Sequence, residues 1–243
     1  MPLIFGVNAV SEALKARRVS RVVHVRGGGP RIDALVARAH ELRIVVDTVD
    51  RLALDKMSRG SVHQGIAADL EALPAFTIEE LVREPEGVTP LLLVLDGIED
   101  PQNVGAILRS ADAAGATGVI RQARHAAPLD GATARASAGA VSHVRIATVV
   151  NIARAVEELK ELGVWSVGLD AGVPDIYDEV DYTLPTAFVL GAEGSGLRRL
   201  VRERCDRLVG IPMAGEVSSL NVSVSTGIAL FEAVRQRRHP KQG

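Results

Sequence analysis

The chain has 243 residues, 47% of them hydrophobic, so it can build one large domain or two small ones around a sizeable core. Its single cysteine, Cys205, excludes an internal disulfide, and no apolar run approaches the ~20 residues of a membrane-spanning helix. With aromatic residues at 3%, any nucleic-acid binding must rest on charge and shape, with few stacking platforms.

The formal net charge of −2 hides a division along the chain. Residues 1–75 carry eleven Lys/Arg against eight Asp/Glu, residues 76–100 one against seven, and residues 101–243 sixteen against fifteen. A mildly basic first part is therefore followed by an acidic connector. Arginine greatly outnumbers lysine, which suits recognition of phosphates by a planar fork. The N-terminal stretch MPLIFGVNAVSEALKARR has no basic segment leading into an apolar one. It predicts a cytoplasmic protein without a signal peptide.

In chain order, residues 1–72 read as a small α/β domain. SRVVHVRG and RIVVDTV are strands flanking a helix over RIDALVARAHEL, and VHQGIAADL is a further strand. Residues 73–89 form a turn-rich acidic linker around one short helix. Residues 90–243 form the second domain, where strands and helices alternate. LLLVLD is a buried strand, NVGAILRSADAAG a helix and GVIR a short strand. NIARAVEELKELG is a helix capped by Asn151 and closed by Gly163. VWSVGLD and TAFVLG are strands, LRRLVRER a helix and RLVGIPM a strand. Cys205 falls at helical spacing with Leu197, Leu200 and Val201, the pattern of a buried thiol. The fold class is α/β, with a mostly parallel sheet covered on both faces.

The last stretch, IPMAGEVSSLNVSVSTGIALFEAVRQRR, raises a conflict. Its end reads as a helix, and Leu220, Val224, Ile228 and Phe231 lie at helical spacing. Yet the stretch begins with Ser, Asn, Thr and β-branched Val, which compete with or disfavour helical backbone.

Ligands of open parallel sheets sit beyond the carboxyl ends of the strands. Three loops leave strand ends with unusual residues: DGIEDPQNVGAILR (96–109), GAEGSGL (191–197) and IPMAGEVSSLN (211–221). The first puts Asn103 at the mouth of a helix and turns Arg109 away from its apolar face, one turn above Gly105. That bare glycine leaves room for a phosphate or sugar, or else marks a tight turn beside a solvated arginine. The second loop has three glycines around Glu193, and either ligand approach or plain turn chemistry accounts for them. It is neither a dinucleotide fingerprint nor a P-loop. No metal-ligand spacing and no Gly-x-Ser-x-Gly elbow occurs.

Taken together, DPQNVGAILRSADAAGA, VLGAEGSGL and IPMAGEVSSLNVSVSTGIALFE resemble the three signature motifs of the SpoU/TrmH family of SPOUT RNA 2′-O-ribose methyltransferases. IFGVNAVSEAL and VHQGIAA are similar to the start and end of that family's small N-terminal substrate-binding domain, an L30e-like fold. The wording is nearest to members that methylate a guanosine in the peptidyl-transferase P loop of 23S ribosomal RNA. The resemblance implies a deep trefoil knot in the second domain, a fold that general rules count as a rare exception. It also implies S-adenosylmethionine as cofactor, a homodimer joined through the knotted domains, ribosomal RNA as partner, and no metal. By the motifs, Gly191, Ala192, Gly194, Ile211, Met213, Ser219 and Leu220 hold the cofactor. Asn103, Arg109, Glu193, Ser219 and Asn221 line the catalytic centre, and Arg109 and Arg124 meet RNA.

On that reading the small residues before the last helix pass through a loop, offer backbone to the adenosyl group and pack on a partner subunit. Arg109 stays protonated. It is read as clamping a phosphate and steadying a developing alkoxide rather than as a simple base. The chain departs from the family wording at RQARHAAPLD, where Arg124 is kept but His125 and Ala126 replace its usual neighbours, and at Ser142. Methylation of transfer RNA by the same chemistry and a non-catalytic RNA-binding relative remain open at this point. A nucleotide-binding α/β enzyme lacks its phosphate motif.

Overall fold

The computed structural model describes residues 3–239 apart from 16, 59, 61, 72–73, 84–85 and 130. The chain divides into two units, Met1–Leu73 and Pro74–Gly243.

The first unit runs β1 (Leu3–Phe5), α1 (Val7–Lys15), β2 (Val19–Val25), α2 (Pro30–Glu41), β3 (Val45–Val49), α3 (Arg51–Ser58) and β4 (Ile66–Leu70). Its sheet has the order β1-β4-β2-β3. β2 and β3 are parallel, and β4 is antiparallel to β2 and β1. Alternation along β2 sends Val22 to one face and Val23 to the other. Val22 joins Val10, Leu14, Ile32 and Ile66 under α1 and α2, while Val23 joins Leu54 of α3. The stretch VHQGIAADL yields a strand only from Ile66. Gln64 and Gly65 have φ of 51° and 84°, so they turn rather than extend. The Gln64 side chain accepts from the Val7 N–H at 3.0 Å, and the Gly65 N–H donates to His63 Nδ1 at 3.0 Å.

The second unit opens with α4 (Ile78–Arg83), β5 (Leu91–Asp96), α5 (Pro101–Ala114), β6 (Gly118–Gln122), α6 (Gly131–Ala136) and β7 (Ile146–Val149). It continues with α7 (Ile152–Glu161), β8 (Trp165–Leu169), β9 (Thr186–Gly191), α8 (Arg199–Arg204), β10 (Arg207–Val209) and α9 (Val222–Arg238). The six strands form one sheet, all parallel, in the order β10-β8-β9-β5-β6-β7. Every residue of β5 is buried, which is why its sequence is an unbroken apolar run. On one face Leu92, Val94, Ile120 and Val189 meet Val156 and Leu159 of α7. On the other, α5 and α9 pack together over the sheet. α7 begins at the Asn151 cap, whose side chain accepts from the Arg154 N–H at 3.2 Å.

The acidic stretch after residue 73 packs into this second unit. Leu81 of α4 is fully buried, and a Cβ on Gly118 would lie 2.6 Å from it. A leucine laid on a glycine of a central strand binds the connector's helix to the sheet. β7, a four-residue edge strand, has too short a pattern to announce itself in the sequence. No helix among the described residues is long and apolar enough to cross a membrane.

Candidate active site

The C-terminal edge of the sheet carries the three unusual loops. Asp96 ends β5 with no exposed surface. Its carboxylate accepts from Arg198 Nε at 2.7 Å and from the Arg198 backbone N–H at 2.9 Å, and it pairs with the same guanidinium through a second nitrogen. Arg198 also donates to Gln122 Oε1 at 2.8 Å. This pairing offsets the cost of a buried carboxylate and ties the exit of the glycine loop to β5 and β6. Four residues on, Asp100 caps α5 by accepting from the Gln102 and Asn103 N–H groups.

That cap fixes Asn103, which is only 7% exposed. Asn103 Nδ2 donates to Glu193 Oε2 at 3.0 Å, and Asn221 Nδ2 donates to Asn103 Oδ1 at 2.9 Å. Asn221 in turn caps α9, its Oδ1 accepting from the Ser223 N–H at 2.9 Å. One amide thus joins all three loops, through bonds spanning 90 and 118 residues of sequence. Both ends of the Asn103 amide are engaged, so its orientation is set.

A cavity of about 400 Å³ opens beside this centre. Gly191, Ala192, Gly194, Ile211, Met213, Ser219 and Leu220, the residues assigned to a cofactor, all line it, as does Glu193. The end of β8 lines it too, through Leu169, Asp170, Ala171 and Gly172. Sequence reading passed over that segment, although the strand-end rule applied to VWSVGLD would have reached Asp170. Apolar walls, glycine backbone and two carboxylates suit a nucleoside-sized cation, and the volume lies in the range of small-molecule sites.

Backbone packing accounts for two glycines that the sequence left open. At Gly105 there is no room for a ligand: a Cβ would lie 2.4 Å from the Ala136 Cβ and 2.9 Å from the Thr133 carbonyl. The glycine lets α6 cross α5. At Gly191 the group that approaches is the loop itself, since a Cβ would lie 2.1 Å from the Gly196 carbonyl carbon. The Gly196 N–H donates to the Ala192 carbonyl at 2.8 Å, which closes the loop on itself.

Arg109 and Arg124 are exposed, and neither has a hydrogen-bond or ion-pair partner among the described residues. Neither lines the cavity, in contrast to Glu193 and Ser219. His125, beside Arg124, lies 3.4 Å from Glu99.

The helix stripe drawn through Leu220, Val224, Ile228 and Phe231 is not the buried face. Leu220 precedes α9, whose buried residues are Thr226, Ala229, Leu230, Ala233 and Gln236. Val224 and Phe231 are each 49% exposed. The helix is apolar on two sides, and among the described residues the side of Val224 and Phe231 is left exposed. Cys205 is set apart from this chemistry. Its thiol donates to the Val201 carbonyl at 3.3 Å, and burial pushes it up to about 12. Leu200, read as its neighbour on one stripe, is exposed. Among the described residues no group of three or more His, Cys, Asp or Glu is placed to hold a metal ion.

Comparison with known proteins agrees with this geometry. Residues 90–231 match the model of the SpoU rRNA Methylase family, and residues 3–75 match RNA 2′-O ribose methyltransferase substrate binding. The chain is 45% identical over 241 residues to the 23S rRNA (guanosine-2′-O-)-methyltransferase RlmB of Pseudomonas syringae pv. tomato, covering 96% of this chain and 95% of that one. It is also similar to the crystal structure of the SpoU methyltransferase AviRb from Streptomyces viridochromogenes, with a TM-score of 0.75 and 30% identity over 97% of this chain and 89% of that one. AviRb in complex with the cofactor AdoMet matches with the same TM-score at 28% identity, covering 97% of this chain and 90% of that one. The chain belongs to the SpoU family of RNA methylases.

Proposed function

We propose that this protein transfers a methyl group from S-adenosylmethionine to a ribose 2′-hydroxyl of RNA, and that its substrate is a guanosine in the peptidyl-transferase P loop of 23S ribosomal RNA. The observation that carries the reading is the Asn221–Asn103–Glu193 chain of hydrogen bonds, which joins three loops at the rim of one cavity. The names of the relatives support the nucleotide class, and the AdoMet complex of AviRb supports the cofactor.

A ribose 2′-hydroxyl is a poor nucleophile at neutral pH. It must be held in line and helped to lose its proton. S-adenosylmethionine supplies an electrophilic methyl group when bound in the cavity. Asn103, fixed at both ends of its amide, orients the incoming hydroxyl. Glu193 accepts from Asn103 through one carboxylate oxygen and lines the cavity. Arg109, with no partner among the described residues, binds an RNA phosphate and stabilises the developing alkoxide. Arg124 adds a second phosphate contact, and the basic N-terminal unit, L30e-like on this reading, selects the RNA.

A knotted path and a dimer belong to the same reading. β10 lies at the sheet edge beyond β8, yet α9 packs against α5 and β9. The return of segment 211–221 from β10 to α9 beside the glycine loop supports a threaded path on this reading. The exposed Val224 and Phe231 face of α9 suits a second copy of the chain.

The test is to map 2′-O-methyl groups on RNA from cells with and without the protein, and to assay purified protein with 23S RNA fragments and labelled cofactor. Loss of one methylated P-loop guanosine, restored by the pure dimer, is the expected result. Unchanged 23S RNA with a lost methyl group on transfer RNA would move the substrate. No methyl transfer to any RNA, in a protein that still binds RNA, would leave a non-catalytic relative.

A further inference from the structure

Two aspartates stand in one row across the end of the sheet. The register pairs Asp96 with Gly191, and Leu169 with both Leu190 and Val209. Asp170, one residue past Leu169, therefore lies level with Gly191, Gly210 and Asp96. Each aspartate is paired with an arginine of the α8 segment, Asp96 with Arg198 and Asp170 with Arg202, whose Nε donates at 2.5 Å. Arg198 is the N-cap of α8 and Arg202 lies four positions on, so the first turn of the helix spaces the two arginines.

The two carboxylates differ in what is left over. Asp96 has no exposed surface, and Arg198 occupies both of its oxygens. Asp170 lines the cavity, its side chain is 21% exposed, and the contact with Arg202 uses only Oδ2. Arg202 fixes the rotamer, while the Asp170 N–H donates to the Val209 carbonyl at 3.0 Å and fixes the backbone. Oδ1 has no hydrogen-bond partner among the described residues. It is a preorganised acceptor on the cavity wall, without a donor among the described residues.

The position narrows the donor. β8 is two strands from β5, about 10 Å across the sheet, whereas the methyl acceptor belongs beside Asn103 and Glu193 at the end of β5. A carboxylate on the β8 side meets a part of the cofactor away from the transferred methyl. Its lone pairs match a pair of vicinal hydroxyls, the same chemistry by which an acidic residue at a strand end reads a nucleotide ribose in doubly wound folds.

Resting on the proposed S-adenosylmethionine site, we infer that Asp170 is a cofactor-specificity residue that accepts hydrogen bonds from the hydroxyls of the adenosine ribose. The test is calorimetric binding of S-adenosylhomocysteine and of its 2′,3′-dideoxyribose analogue to the full-length protein and to Asp170→Asn and Asp170→Ala. Asparagine can keep an oxygen on Arg202 but turns an NH₂ toward the hydroxyls, so both variants should bind S-adenosylhomocysteine roughly 10- to 100-fold more weakly. The dideoxy analogue should bind the parent protein and both variants alike. Thermal melts check folding, and Arg202 is exposed enough to be hydrated when Asp170 is removed. An equal loss for both ligands, or no loss for either, overturns the assignment. If the parent protein binds neither ligand, the cofactor site itself is wrong, an outcome distinct from both.

Discussion

At the N-terminal end of the six-stranded sheet the polar groups are paired with one another. Arg237, in the last turn of α9, donates to the carbonyls of Thr89, Pro90, Tyr182 and Leu184 at 2.8–3.0 Å. Asp206, before β10, accepts from Lys160 Nζ at 2.7 Å and from the Ser166 N–H and hydroxyl at 2.9 and 2.7 Å. At the C-terminal end Asp96 and Asn103 are held as firmly, but what surrounds them is left open. A cavity separates the loops, and among the described residues one Asp170 oxygen and the arginines expected to meet RNA have no partner. α9 joins the two ends, with Asn221 at one and Arg237 at the other. One end is closed for stability, while the other keeps a rigid frame around groups whose partners must come from outside.

Substitutions at the two ends should therefore separate rate from stability. The largest effect is expected at Arg109. Arg109→Ala should lower single-turnover methylation by ~10²–10³, the cost typical of a lost electrostatic stabiliser. Cofactor affinity and melting temperature should stay unchanged, because the side chain is exposed and fills no core space. Arg109→Lys keeps the charge but not the planar fork and should recover part of the rate. Near-normal single turnover in a well-folded Arg109→Ala protein would remove this residue from the mechanism and erase the contrast between the ends.

The opposite signature is expected at Arg237. Arg237→Ala loses hydrogen bonds from a cation to four carbonyls, and should cost about 2–3 kcal/mol, or roughly 4–12 °C in the melting of the second unit. The rate per folded molecule should not change. A variant with unaltered melting but reduced turnover would mean that the two ends are not divided in this way.

A smaller effect with a distinctive pH dependence belongs to Asp206. Burial pushes its carboxyl upward, but the Lys160 ammonium and the Ser166 N–H and hydroxyl outweigh that and hold it below its ordinary value. A carboxylate lowered on folding stabilises the protein above its unfolded pKa, about 4, and loses that contribution as pH falls through the folded value. Asp206→Asn should be destabilised by about 1 kcal/mol at pH 7. The gap in melting temperature should hold down to about pH 5 and close below about pH 4. A gap that persists into acid would assign the effect to packing.

Much of this architecture was legible because it depends on neighbours close in sequence. The all-apolar LLLVLD announces a central parallel strand, Asn151 and Gly163 bracket α7, and the three motifs mark the loops at strand ends. The same local logic failed where a residue's role is set by something distant. Gly105 could have opened space for a ligand or marked a tight turn, and it is α6 that fills the space. Helical spacing along Leu220, Val224, Ile228 and Phe231 did not tell that the fold buries Thr226, Ala229, Leu230 and Ala233. No local pattern separates two apolar sides of one helix.

The sequence by itself determined the class of fold, the motif loops and the residue types available for catalysis, because hydrophobic period, caps and turn residues act over a few positions. Only the tertiary structure decided which of those residues meet. The order β10-β8-β9-β5 brings Asp170 into the cavity of the glycine loop and seats Asn103 between Glu193 and Asn221. That order is a property of the whole sheet: each hydrogen bond that completes the site closes a loop of some hundred residues. Such closure costs entropy that the packed core must offset, and no short stretch of sequence records it.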